Sequence, residues 1–275
     1  MGVVVFAAVF LQYNATATPP PTVDLRTASS YAILAGSEIT DVPGSSTIVK
    51  GDVGLSPTTG AAIGLTAGQL LNGTIYAVDA AGPAGSVFDL GKVGQAKSDL
   101  TTAYTDAFTR PVTFDYTASG SQLGGLNLFP GVYRFGHNAS GNLIGTLTLD
   151  ANGETNPIWI FQATSDLITA AGAPGAPGSR VALINGATPC DVFWQVGTSA
   201  TIGTYSDFAG TIMADQSIAL QAYATLHGRA LAENAAVTLD HNTIWGGPCG
   251  SGGGVGGGGT VGVPDAASTL LLLGC

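Results

Sequence analysis

Between Trp159 and Ile244 the apolar residues fall into short β-type runs, each closed by Gly, Asn or Asp. Runs bounded in this way read as strands. Three of them align: Phe193-Trp194-Gln195-Val196-Gly197, Gly210-Thr211-Ile212-Met213-Ala214 and Gly228-Arg229-Ala230-Leu231-Ala232, spaced 17 and then 18 residues apart. Ile160-Phe161-Gln162-Ala163-Thr164 stands 33 residues before the first, near two turns of the same period. A second set shares the phase: Ala200-Thr201-Ile202-Gly203, Ser217-Ile218-Ala219-Leu220 and Ala235-Ala236-Val237-Thr238. This period, with two or three short strands per repeat, is what one coil of a β-solenoid requires. A sandwich would show hairpin turns such as Asn-Gly between longer alternating strands, and these are scarce.

One segment changes period. Gly91 to Arg110 carries Val93, Ala96, Leu100, Ala103, Tyr104, Ala107 and Phe108 at three- and four-residue steps, with Lys92, Lys97, Asp99 and Asp106 elsewhere around the turn. That spacing predicts an amphipathic helix. Pro111 ends it, because the residue before a proline is pushed out of helical geometry. Such a helix needs an apolar surface to cover, and the side of a solenoid supplies one.

Composition narrows the choice of function. Charged residues are 9% of the 275-residue chain, against roughly 25% in ordinary soluble domains. With 45% hydrophobic residues and 41 glycines, the chain reads as folded, with an uncharged, small-residue surface. The net charge of −10 is spread along the sequence without a Lys/Arg cluster, which sets nucleic-acid binding aside.

The ends read as export machinery. The apolar run Met1 to Phe10, with the small and Pro-rich residues after it, predicts a signal peptide and lead over 1–22. The folded domain is then 23–249, followed by a Gly-rich linker over 250–260. Residues 261–275 contain Val263-Pro264-Asp265 before a short hydrophobic run. They resemble a bacterial C-terminal sorting signal cut short of its closing Arg cluster, which would allow cell-envelope anchoring. In an exported chain Cys190 and Cys249 can close a disulfide that pins the last coil to the body; two free thiols are the alternative. Three cysteines without His-rich spacing make no metal site.

Four stretches carry a resemblance. They are Val23-Asp24-Leu25-Arg26-Thr27 through Ala35-Gly36-Ser37-Glu38-Ile39-Thr40 and on to Lys50-Gly51-Asp52-Val53-Gly54; Asp99-Leu100-Thr101-Thr102-Ala103-Tyr104; Gly124-Gly125-Leu126-Asn127-Leu128-Phe129-Pro130-Gly131-Val132-Tyr133; and Trp159-Ile160-Phe161-Gln162 with its later counterparts. In this order they resemble the ice-binding proteins of the domain-of-unknown-function 3494 type, over about Val23 to Trp245. The resemblance implies a mostly β fold: a discontinuous, right-handed parallel β-solenoid of triangular section with one long α-helix packed alongside. The N-terminal segment would supply a coil beside coils formed late in the chain.

It also implies a function: adsorption to ice through a flat solenoid face, giving thermal hysteresis and inhibition of ice recrystallisation. Stacked coils place equivalent residues ~4.8 Å apart and residues i and i+2 about 6.6 Å apart, spacings that approach repeats of the ice lattice. Threonine suits such a face, because its χ1 is stiff in a strand and little rotamer entropy is lost. Carried over by motif, the candidate ice-binding residues are Ser37, Thr40, Asp41, Thr198, Thr201, Thr211, Gln216, Ser217, Asn234 and Ala235. They form no regular threonine ladder. The expected partner is the ice surface, met by a secreted monomer with no cofactor and no small-molecule substrate. A cell-surface adhesin or structural solenoid module without ice affinity is the alternative.

Enzymatic readings find little support. The acidic residues are scattered, and no nucleophile motif is present. His227, beside Gly228-Arg229 in a coil turn, reads as structural.

Overall fold

The computed structural model describes residues 19–247, so the predicted signal peptide, linker, tail and Cys249 lie outside the described residues, apart from the last residues of the lead. All the strand pairings are parallel, and they build three faces around one core. The predicted period holds, but its phase needed correcting. Phe193 pairs with Thr211 and Thr211 with Arg229, a uniform step of 18 where the aligned runs give 17 and 18. On the second set Ala200 pairs with Ile218 and Ile218 with Val237, so the true phase lies one and then two residues later than the aligned letters. A one-residue slip exchanges inward and outward side chains, so these corrections decide which residues meet solvent.

The eight-residue strands Asp207–Ala214 and Thr225–Ala232 bend from one face to the next at Gly210 and Gly228, whose φ values are 115° and 152°. A Cβ on Gly228 would sit 1.9 Å from the Gly210 carbonyl oxygen. Only glycine lets successive coils stack this closely at the corner.

Inside, the coils are filled by rows of like residues. Tyr133, Phe161 and Trp194 stack through the core with centroid separations of 5.4 and 4.0 Å. At an outer corner the rings of Tyr205, Tyr223 and His241 repeat at 5.0 Å intervals, each residue with a left-handed φ between 53° and 62°. These intervals report the coil rise directly.

The fold is discontinuous. Strand Tyr31–Ala35 lies between Thr225–Ala232 on one side and Asp52–Leu55 on the other. Ile39–Asp41 likewise continues the sheet past Val237–Leu239. An N-terminal coil therefore joins one formed some two hundred residues later, paired with it strand to strand.

The helix spans Leu90–Thr109, one residue from the predicted bounds at each end. Asp89 caps it by accepting the Lys92 N–H at 2.9 Å, and Arg110 before Pro111 is extended. Val93, Ala96, Leu100, Ala103 and Ala107 are buried against Leu34, Val132, Ile160, Phe193, Met213 and Leu231. Two assignments on the helix are corrected. Phe108, read into the apolar stripe, is 56% exposed, and Asp99, read as surface, is buried. The 3-10 turn Arg26–Ser30 packs on the helix, and Asp99 accepts the Thr27 hydroxyl at 2.5 Å and its N–H at 3.2 Å. Those hydrogen bonds hold the Asp99 carboxyl below the usual carboxylate range.

Candidate functional site

The three faces offer different surfaces. The first, strands such as Gly131–Phe135, Trp159–Ala163 and Val192–Val196, lies under the helix. The third combines Thr146–Asp150 and Arg180–Ile184 with the first halves of the two bent strands and with Thr243–Trp245 and Ile48–Lys50. The second is an uncovered sheet of five strands in the order Leu167–Ile168, Ala200–Ile202, Ile218–Leu220, Val237–Leu239 and Ile39–Asp41.

On this open face alternation does the sorting. Leu167, Ala200, Ile218, Val237 and Ile39 point inward and are fully buried. Their neighbours Ile168, Thr201, Ala219, Thr238 and Thr40 form one outward row in residue-for-residue register. Ser199 and Ser217, two residues earlier in their coils, extend the surface, and the Ser217 hydroxyl donates to Ser199 Oγ at 2.9 Å. Among the five strands the only charged residue is Asp41.

Nine of the ten candidate residues lie on this face or its rim. Thr40 and Thr201 occupy the central row and Ser217 the row beside it. Ser37, Thr198, Gln216 and Asn234 are exposed at the corner toward the helix side, with Ala235 half-buried among them. There the Gln216 amide donates to Asp215 Oδ2 at 2.6 Å and the Asn234 amide to Asp215 O and Oδ1 at 2.9 and 3.1 Å. Asp41, at the far end of its strand, accepts from Thr47 Oγ1 at 2.9 Å, from Gln69 Nε2 at 2.7 Å and from the Ser45 hydroxyl. Three donors turn its carboxylate into a corner fastening.

Thr211 is the correction. It sits on the helix-covered face, 1% exposed, its hydroxyl accepting from Arg229 Nη1 at 3.3 Å. The repeat identifies equivalent positions but does not say which face another element covers. Sequence reasoning also passed over Ile168, Ala219 and Thr238. The signal was present, since the aligned runs contain Ala219 and Thr238, but in a phase that hid their shared row.

Cys190 is disulfide-bonded; its expected partner, Cys249, lies outside the described residues. The histidines each meet a carboxylate: His137 with Asp166 at 2.8 Å, His227 with Asp207 at 3.0 Å and His241 with Asp240 at 2.7 Å. The partner of His227 comes from the neighbouring coil, which is why no local motif contains it. Arg180 shares Asp207 at 3.5 Å. Among the described residues no group of three or more His, Cys, Asp or Glu is placed to hold a metal ion. A shallow depression lined by Ala173, Gly175, Ala176, Pro177 and Tyr205 has no charged side chain in its wall.

An open, nearly uncharged β-solenoid face of short side chains defines a class of protein that meets its target over a surface. Residues 33–245 match the model of the Ice-binding-like family. The chain is 38% identical to an ice-binding protein of Colwellia sp over 84% of its own length and 86% of the relative's. It is 35% identical to one from Flavobacterium frigoris (strain PS1), covering 81% and 75% of the two chains. The crystal structure of an ice-binding protein from the Antarctic ascomycete Antarctomyces psychrotrophicus superposes with a TM-score of 0.70 at 34% identity, covering 84% of this chain and all of that one. The chain belongs to the Ice-binding-like family.

Proposed function

We propose that this protein binds ice through the open five-stranded face and thereby produces thermal hysteresis and inhibits ice recrystallisation. The observation that carries this reading is the in-register row Ile168–Thr201–Ala219–Thr238–Thr40 on an uncovered sheet. Short hydroxyl and methyl groups at ~4.8 Å intervals order water without the hydration shells that long charged side chains would keep. Each contact is weak, and simultaneous engagement along the row makes adsorption persistent. The sheet beneath is rigid because its inward residues are packed in the core.

Family membership supports ice as the target, and the apolar leading run with the disulfide at Cys190 supports work outside the cell. Partitioning the purified protein into a slowly grown ice hemisphere tests the reading. Incorporation is expected. Exclusion would overturn ice binding and leave a structural solenoid module.

A further inference from the structure

We propose that Lys97, on the helix, is a positioning residue for the ice-binding face: it fixes the corner at which the N-terminal coil joins the late coils. The proposal rests on the reading of the open face given above. The other neighbouring strands of the central row are successive coils, linked by the chain itself. The step from Thr238 to Thr40 has no such link, because Val237–Leu239 and Ile39–Asp41 are separated by most of the sequence. Something other than a loop must hold that step in register.

The junction turns on Glu233, Asn234 and Ala235. The Ala235 carbonyl accepts the N–H groups of Gly36 and Ser37 at 3.0 and 3.3 Å, and the Val237 N–H donates to the Glu38 carbonyl at 3.0 Å. Gly36 lies so close that a Cβ there would stand 2.6 Å from the Glu233 carbonyl oxygen. The Lys97 ammonium holds that same oxygen, donating to Glu233 O at 2.5 Å and to Ala232 O at 2.7 Å. The Glu233 carbonyl thus lies between the lysine that binds it and the closely packed Gly36 backbone of the N-terminal coil.

The Glu233 side chain folds back to the same helix. Its Oε2 accepts the Thr101 hydroxyl at 2.9 Å and lies 3.9 Å from Lys97 Nζ, while its Oε1 is buried without a hydrogen-bond partner. The side chains of Lys97 and Glu233 are only 13% and 11% exposed. A buried cation is costly unless several acceptors meet it. Two carbonyls and a carboxylate supply that compensation, and burial draws the ammonium down to about 8. Surface packing of the helix would not require this lysine; an apolar residue would serve. Its placement instead meets the one unlinked step of the central row.

The test compares Lys97→Met with the wild type by amide hydrogen exchange and by thermal hysteresis read near 0 °C, with circular dichroism confirming the fold. Faster exchange, by about tenfold or more, is expected at Gly36, Ser37 and Val237. Leu167, which donates to Ser199 O at the other end of the same face, should be unchanged. Hysteresis should fall several-fold in the folded variant. Exchange that rises equally at Leu167, or not at all at the junction, would overturn the proposal. The double variant Lys97→Met/Glu233→Gln removes the stranded carboxylate. Continued fast exchange and low hysteresis support positioning, whereas full recovery would assign the loss to the unpaired charge and sink the proposal. Thr238→Tyr judges the face separately. Full hysteresis there overturns the reading of the face, while the exchange pattern still decides whether Lys97 holds the junction.

Discussion

The open face and the third face are built from the same coils, yet their outward side chains differ in length and charge. Both are uncovered parallel sheets with the same spacing between strands. On the third face the row Thr146–Arg180–Asp207–Thr225–Thr243–Ile48 mixes hydroxyls with an ion pair and a protruding isoleucine. Beside it run Trp245, Lys50 and Leu71, with the Lys50 ammonium 5.8 Å from the Trp245 ring centroid. On the open face the central row holds only Thr, Ala and one Ile, and the row beside it runs Ser199–Ser217–Ala236 to the exposed Glu38 at the N-terminal coil. The scaffold therefore supplies the period to every face, and the two faces differ in the length and charge of the side chains set on it.

The strongest way to break this contrast is to place the same bulky side chain on each face. Thr238→Tyr puts a ring in the middle of the open row and lifts its neighbours from the ice plane, so hysteresis should fall by about tenfold or more. Thr225→Tyr, the same change on the third face, should leave it at the wild-type value. Nanolitre osmometry of the two variants at matched concentration measures both. Equal losses would mean that the third face shares the contact, and a loss confined to Thr225→Tyr would exchange the two assignments.

The fold was legible because it rests on local regularities. The step between coils, the three- and four-residue spacing of Val93, Ala96, Leu100, Ala103 and Ala107, and the stop at Pro111 all survive in the structure. What was not legible depends on contacts between distant segments. Asp99 looks like a surface residue until residues 26–30 close over it. Thr211 looks like a face residue until the helix covers its strand and Arg229 reaches its hydroxyl. The site was half legible for a related reason. Motif matching found the rim residues Ser37, Thr198, Gln216 and Asn234, while Ile168, Ala219 and Thr238 emerge only once the register is known to the residue.

Ala219 offers a way to sharpen the contrast. It interrupts the row between Thr201 and Thr238, so Ala219→Thr would place four threonines side by side, from Thr201 to Thr40. A β-branched residue suits an outward strand position and its stiff χ1 adds little ordering cost. The added methyl and hydroxyl should raise hysteresis by about twofold. An unchanged value would mean that the methyl surface at this position already suffices and that hydroxyl regularity is not what the face supplies. A loss would mean that the level of the plane at Ala219 matters more than its chemistry.

The smallest effect belongs to the ion pair that marks the third face. Asp207 is held below the usual carboxylate range, first by its hydrogen bond to His227 and then by the charges of His227 and Arg180. A carboxylate lowered in the folded state stabilises the protein above its unfolded value of about 3.9. That stability is lost as pH falls through the folded value. Asp207 is 43% exposed, so solvent screening limits its contribution, and Asp207→Asn should cost less than about 1 kcal/mol at neutral pH. Thermal melts of the variant and the wild type should converge as the pH is taken below the carboxylate range, while hysteresis near 0 °C and neutral pH stays equal in the two. A drop in hysteresis without a drop in stability would show that charge on the third face acts on ice, and the division of labour between the two faces would have to be redrawn.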